Sequence, residues 1–289
     1  MLVSIVITTK NRYEMACRAI RSVLSQSYKD IEILVVNDGE RFDFSSFEKV
    51  KVIENKESFG GGYARNLGVK NSIGDIIFFL DDDDYWHKNK VEKQVLEFID
   101  ERVGLVYTGR AIFYDDDESE IRRVIYPKEK GNLYPRILFE NPIGVTSSVA
   151  IRRDIFEKVG GFDETLPCRQ DYDLWIRVCK ITRVSFINEA LLYYRLSTKT
   201  GDQISNTVYN HEKALSILLK KYLNDIKVQG FLSERKIKSN LYFSVAKAHR
   251  RVGYLSSIKF IVKSMFLFPN IKSFFLFFPK FILNKVVSL

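Results

Sequence analysis

Two β-branched runs, residues 3–8 and 31–36, enclose a stretch in which Ala16, Ile20, Val23 and Leu24 recur at helical spacing. The same alternation continues along the chain. Residues 51–54 predict a third strand, 64–72 a helix and 75–80 a strand. Val91, Val95, Leu96 and Ile99 predict another helix, and 104–108 is again extended. Strands alternating with helices over the first 110 residues predict βαβ units, hence an α/β fold with a mostly parallel twisted sheet flanked by helices. Right-handed crossovers then gather the loops at residues 8–12, 37–39 and 81–84 on one rim. Beyond residue 110 the pattern is less regular. Residues 115–118 predict a solvated hairpin tip, 147–151 a strand, 154–159 a short helix closed by Gly160-Gly161, and 171–179 a further helix. From about Ser205 onward the spacing is wholly helical. Within it, residues 241–269 resemble one tetratricopeptide-like helical pair, with Ala246, Ala248, Gly253, Tyr254, Met265 and Pro269 roughly in place.

Charge divides the chain in a similar way. From Ser205 to Leu289 fifteen basic residues face three acidic ones, whereas the remainder carries 30 basic against 33 acidic. A near-neutral domain with a basic tail is not the profile of a nucleic-acid binder, and none is expected as a partner. The chain opens directly on a strand pattern, so no cleaved signal is expected. Cys17, Cys168 and Cys179 fit no zinc spacing and are expected to be buried thiols in a reducing compartment.

The candidate chemistry begins with Asp81, Asp82, Asp83 and Asp84, which follow directly on the apolar run Ile76-Ile77-Phe78-Phe79-Leu80. Carboxylates crowded at the end of a buried strand repel one another unless a hard cation sits among them. That place in an α/β sheet is where ligands bind. In an extended chain Asp81 and Asp83 point to the same side, which suits Mn²⁺ or Mg²⁺ completed by diphosphate oxygens. An EF-hand is excluded because Tyr85 and Trp86 stand where a ligand and a turn glycine are required. Asn37-Asp38-Gly39 is either a plain turn or a place where Asp38 meets a nucleobase N–H, and position alone leaves both open. Gly60-Gly61-Gly62 opens the helix carrying Arg65, an arrangement that lets an anion approach the backbone. It matches neither a dinucleotide fingerprint nor a P-loop. Arg65 would suit Asp38 or a phosphate. His87, His211 and His249 are scattered and predict surface or packing positions, and Trp175 predicts core.

Taken in order, these segments resemble a family of known enzymes. The segments are Val3-Ser4-Ile5-Val6-Ile7-Thr8-Thr9-Lys10-Asn11-Arg12, Val35-Val36-Asn37-Asp38-Gly39, Ala64-Arg65-Asn66-Leu67-Gly68, Phe79-Leu80-Asp81-Asp82-Asp83-Asp84, Gly160-Gly161-Phe162-Asp163-Glu164 and Asp171-Tyr172-Asp173-Leu174-Trp175. Over roughly residues 1–200 the chain is similar to family 2 glycosyltransferases of the GT-A fold, which use nucleotide-sugars and invert the anomeric centre. The resemblance implies that Asp38 recognises the base, commonly uracil, and that Arg65 supports that pocket. Thr8 joins this donor set. Asp81 and Asp82 would contact ribose or the outer shell of the metal, and Asp83 would be the direct ligand to Mn²⁺ or Mg²⁺. Asp171 matches the general base. Three positions depart from the family pattern. Gln170 stands where an acid often precedes the base, Lys10 replaces an aromatic residue, and Leu196-Ser197-Thr198 lacks the histidine that many members carry there.

The expectation is therefore a catalytic domain over residues 1–204, with a nucleotide-binding half at 1–110 and an acceptor half at 111–204. A basic, aromatic-rich helical tail follows at 205–289. The donor is expected to be a UDP-sugar and the acceptor a glycan or lipid-linked glycan. The tail mixes Lys259, Lys263, Lys272, Lys280 and Lys285 with eight phenylalanines between Phe260 and Phe281. It suits either an anionic membrane surface or a helical cap that buries the rings. The first places the protein in the cytoplasm, peripheral on the inner face of the cell membrane. Two other readings stand beside active transfer. One is a catalytically silent nucleotide-sugar-binding or scaffold subunit of a polysaccharide assembly system. The other is a nucleotidyltransferase, which would need a glycine-rich basic loop where residues 8–12 stand.

Overall fold

A computed structural model describes residues 1–55, 57–114, 120–197, 208–269 and 271–278, and the expected hairpin tip at 115–118 lies outside them. The chain forms two compact units. The first comprises residues 1–137, 141–165 and 170–198, and the second 138–140, 166–169 and 199–289.

The first unit is built on a nine-stranded sheet. Its strands are β1 (Val3–Thr9), β2 (Ile31–Asn37), β3 (Val50–Glu54), β4 (Ile76–Asp81), β5 (Tyr85–Trp86), β6 (Val103–Tyr114), β7 (Arg123–Ile125), β8 (Val149–Arg152) and β9 (Arg183–Leu196). They run in the order β3-β2-β1-β4-β8-β6-β9-β5, with β7 on β6. Pairings β1–β2, β1–β4, β2–β3 and β6–β9 are parallel; those of β8, β5 and β7 are antiparallel. The expected mostly parallel sheet is present.

Helices α1 (Tyr13–Leu24), α2 (Gly61–Lys70), α3 (Lys90–Glu97), α5 (Arg153–Lys158) and α6 (Gln170–Cys179) connect the strands, and a short α4 (Arg136–Phe139) precedes β8. Burial explains the strand runs. Residues 3–7 of β1 and 76–80 of β4 are buried on both faces, as a sheet covered by helices on two sides requires. Helix α1 turns Ala16, Cys17, Ala19, Ile20 and Val23 onto that core. Helix α2 settles close to the sheet because Gly68 has no side chain: a Cβ there would stand 2.3 Å from Val6 Cγ1. Trp175 is fully buried, as its helical spacing predicts, and donates its indole N–H to the Gly144 carbonyl at 3.1 Å.

Three strands exceed the expectation. β5 and β7 are too short to carry a pattern. β9 was hidden because its pairing with β6 shifts register beyond Thr108–Ile187, leaving Asn188 and Glu189 unpaired in the middle of the strand. That irregularity breaks the period-two alternation.

The second unit is helical over its described residues, with α7 (Val208–Lys221), α8 (Leu223–Lys227), α9 (Phe231–Val252), α10 (Tyr254–Leu267) and α11 (Ile271–Phe277). α9 and α10 form a hairpin through extended Gly253, so the helical pair expected at 241–269 is present. Ser239 Oγ reaches the Ser264 carbonyl at 2.8 Å across it, and His249 lies 4.6 Å from the Phe260 ring. The three cysteines are buried free thiols. His211 and His249 are buried packing residues and His87 is half-buried.

Candidate active site

Register brings the predicted loops together. Thr9 pairs with Asn37 across β1–β2, and Thr8 with Asp81 across β1–β4. The Asp38 N–H donates to Thr9 O at 2.8 Å, and the Asp82 N–H to Thr8 O at 3.3 Å. The three strand-end loops therefore form one rim. Thr8 stands at its centre, half-buried and bound to it through its carbonyl oxygen.

Asp38 organises the segment that follows β3. Its Oδ1 accepts the Asn55 amide at 2.8 Å and the Phe59 N–H at 3.2 Å. Its Oδ2 accepts the Ser58 hydroxyl at 2.8 Å and the Gly60 N–H at 3.1 Å. Four donors fill the acceptor capacity of a carboxylate. A nucleobase N–H would have to share with, or displace, the Asn55 or Ser58 side chain. Lys10 reaches the same segment through Ser58 Oγ at 3.0 Å.

At the end of β4 the four aspartates have separate surroundings. Asp81 is paired with Arg65, whose guanidinium also lies 5.4 Å from the Phe162 ring. Of the two partners expected for Arg65, Asp38 is not the one it takes; its ion pair is with Asp81, while the Asp38 oxygens are taken up by Asn55, Ser58, Phe59 and Gly60. Asp82 is fully buried. It accepts the Thr9 hydroxyl at 2.7 Å and Arg12 Nε at 3.1 Å, and its other oxygen pairs with Arg12 Nη2. Loss of hydration, opposed by Arg12, moves its pKa up to about 7. Both of its oxygens are thus turned to the neighbouring rim loop. Asp83 pairs with Arg12 Nη1 at 3.2 Å, while Arg18 donates to its backbone carbonyl at 2.8 Å. Asp84 is fully buried and accepts the Arg195 N–H at 3.1 Å. Burial, reinforced by Asp83 and Asp81, pushes its pKa well above the ordinary range, so it is a structural acid.

Asp171 sits in the first turn of α6, half-exposed, with Oδ1 accepting the Tyr172 N–H at 2.8 Å. The start of α6 abuts the start of α2: a Cβ on Gly62 would lie 3.0 Å from Gln170 Nε2. The same α2 carries Arg65, which holds Asp81. The acidic end of β4, the glycine opening of α2 and the head of α6 are thus joined through direct contacts. Asp173, two residues on, is fully buried in an ion pair with Arg177 at 2.6 Å and has a structural part. Trp86 is buried too, with its indole N–H on the Ser147 carbonyl at 2.9 Å.

The donor set suits a divalent metal. Asp81 and Asp83 supply two carboxylates, a number that Mg²⁺ or Mn²⁺ completes with phosphate oxygens and water, but residues 82 and 83 form a turn closed by the Asp84 N–H on the Asp81 carbonyl at 3.1 Å, not the extended segment expected. No cluster of three or more His, Cys, Asp or Glu able to hold a metal occurs among the described residues. Arg12 and Arg65 balance part of the charge of these carboxylates. Sequence reasoning gave no part to Arg12, Arg18, Asn55 or Ser58. Arg12 stood inside a quoted motif, but nothing in the spacing says that it reaches residues seventy positions away.

Residues 4–160 match the family described as Glycosyl transferase family 2. An uncharacterized glycosyltransferase of Rickettsia conorii is 32% identical over 238 residues, covering 78% of this chain and 38% of that protein. The chain thus spans about two fifths of the length of this relative. The UDP-Glc:alpha-D-GlcNAc-diphosphoundecaprenol beta-1,3-glucosyltransferase WfgD of Escherichia coli is 29% identical over 204 residues, covering 68% of this chain and 78% of WfgD. Among solved structures, S. aureus TarS 1-349 with UDP-GlcNAc superposes with a TM-score of 0.57 at 17% identity, covering 96% of this chain and 89% of that one. The Pyrobaculum calidifontis mannosyltransferase PcManGT, with GDP-Man and Mn2+, gives 0.58 at 13% identity, covering 99% and 79%. The fold is that of GT-A glycosyltransferases. This chain belongs to glycosyl transferase family 2.

Proposed function

We propose that this chain moves a sugar from a UDP-sugar to a hydroxyl of a glycan or lipid-linked glycan, with inversion at the anomeric carbon. The observation that supports the reading is that α2 touches both candidate regions, Arg65 pairing with Asp81 and Gly62 abutting Gln170, the residue before Asp171. Asp171 acts as general base. It takes the proton of the acceptor hydroxyl as that oxygen bonds to C1, while the bond from C1 to the diphosphate breaks on the opposite face. Alignment of the two substrates supplies much of the rate. Asp83 and Asp81 would hold Mn²⁺ or Mg²⁺, which when bound neutralises the departing diphosphate. Thr8, Asp38 and Arg65 contact the donor, Asp38 partly through the segment it organises. Asp82 acts behind them by fixing Arg12. WfgD is named for a UDP-sugar donor and a lipid-diphosphate acceptor, TarS was solved with UDP-GlcNAc and PcManGT with Mn2+; each supports one part of this reading.

Purified protein is tested with Mn²⁺ and a panel of nucleotide-sugars, scoring both transfer and donor hydrolysis. UDP-sugar turnover is the expected result. Donor binding without any turnover would make the chain a silent subunit and end the proposal. Asp83→Asn is expected to weaken Mn²⁺ binding in the presence of UDP by at least about tenfold, since loss of even an outer partner costs a metal site that much. Paramagnetic resonance titration of free Mn²⁺ reads this directly. Unchanged Mn²⁺ affinity would remove Asp83 from the metal.

We assign transfer to residues 1–204 and docking on an anionic membrane, at the inner face of the cell membrane, to 205–289. Phe260 is buried, but Phe266, Phe274 and Phe275 are exposed, and the Arg235 guanidinium lies 6.0 Å from the centre of the Phe266 ring. Outward rings on a basic surface suit the lipid interface. Lys280, Phe281 and Lys285 lie outside the described residues. No helix among the described residues is long and apolar enough to cross a membrane. The protein is expected to sediment with phosphatidylglycerol vesicles and to stay in solution with phosphatidylcholine vesicles. Equal recovery in both supernatants would overturn the docking assignment.

A further inference from the structure

Strand β6 carries an arginine that no motif announces. Arg110 directly follows two register shifts between β6 and β9, at Thr108/Gly109 and Gly109/Arg110. Such irregularities turn a side chain out of the regular alternation and occur beside active sites. The half-buried guanidinium lies 5.9 Å from the centre of the Tyr194 ring. Its tip occupies the room that Gly144 leaves: a Cβ there would stand 2.3 Å from Arg110 Nη1, and Gly144 holds a left-handed φ of 90°. The Gly144 carbonyl receives the Trp175 indole, and Trp175 lies one helical turn from Asp171 along α6. On the other side, Arg195, the neighbour of Tyr194, donates its backbone N–H to Asp84.

Arg110 therefore stands between the acidic end of β4 and the head of α6. Asp84 and Asp171 both act on its charge. Yet among the described residues no carboxylate comes within ion-pairing distance of it. A half-buried guanidinium with no carboxylate on its fork among the described residues can exchange its remaining hydration for an anion. Phosphate oxygens match that planar fork.

We infer that Arg110 binds a phosphate oxygen of a diphosphate seated between Asp83 and Asp171. The assignment rests on the sugar-transfer reading above. Two molecules bring a diphosphate to such a site, the nucleotide donor and an acceptor linked to lipid through a diphosphate.

The experiment measures calorimetric affinities for UDP, uridine and farnesyl diphosphate in wild type and in Arg110→Gln, with melting temperature as a check on folding. In Arg110→Gln one of the two diphosphates is expected to bind about tenfold or more weakly, the scale of a charge-assisted hydrogen bond, with uridine unchanged. Weakened UDP assigns Arg110 to the donor, and weakened farnesyl diphosphate assigns it to the acceptor. Equal affinities in both proteins overturn the Arg110 assignment alone. Wild-type protein that binds no UDP overturns the sugar-transfer reading, and this inference with it. Should Arg110→Gln not fold, Arg110→Met, similar in reach and uncharged, is held to the same outcomes.

Discussion

Asp171→Asn is expected to lower transfer by a factor of about 10²–10⁴, the range that a positioned general base contributes, while leaving UDP affinity within about twofold. The asymmetry follows from geometry. Asparagine is isosteric, its side-chain oxygen still accepts the Tyr172 N–H that Asp171 accepts at 2.8 Å, and Trp175 still secures the helix through Gly144. What is lost is the negative charge and with it the basic oxygen. With Gln170 beside it rather than a second acid, no neighbouring carboxylate at the head of α6 can substitute. Single-turnover transfer measured alongside UDP calorimetry separates the two quantities. Transfer at the wild-type rate in this variant would remove Asp171 from the chemistry.

Arg12→Ala is expected to destabilise the protein by about 3 kcal/mol, the scale of breaking a buried ion pair from one side. Asp82 is fully buried and Arg12 keeps only 30% of its side chain exposed. Removing the guanidinium takes away the charge that holds the Asp82 pKa down to about 7, so at alkaline pH a buried carboxylate is stranded against Asp81 and Asp83 with the Thr9 hydroxyl beside it. Arg12→Ala combined with Asp82→Asn removes the stranded charge while keeping an acceptor for Thr9, and is expected to recover more than half of the loss. Urea midpoints at pH 9, above the Asp82 pKa of about 7, test both. If the double variant is no more stable than the single one, loss of packing by the Arg12 stem, not its charge, explains the effect.

These two residues differ in how far the sequence announces them. Asp171 stood in a motif, and the structure places it beside the glycine opening of α2 through Gln170 and Gly62. The rim was legible for a general reason: strands buried on both faces are written as unbroken apolar runs, so their polar ends stand out. Asp81 to Asp84 show the limit. Spacing treats them as one acidic cluster, yet Asp84 turns inward to the Arg195 backbone, Asp82 is enclosed by Thr9 and Arg12, and Asp81 goes to Arg65 rather than remaining open. Adjacent positions in a turn diverge in direction, and composition does not record direction. β9 and Arg110 were hidden because the register irregularity interrupts periodicity at the positions where function was to be sought. The main division between the two compact units falls between residues 198 and 199, and segments 138–140 and 166–169 belong with the helical unit. Long-range grouping of that kind leaves no trace in local pattern.

The four hydrogen bonds around Asp38 have a thermodynamic meaning for whatever enters the cleft. Asn55, Ser58, Phe59 and Gly60 are tethered before any visitor arrives, so the conformational freedom of these four residues is surrendered when the chain folds. An incoming molecule is spared that entropic penalty, and more of its contact energy is realised as affinity.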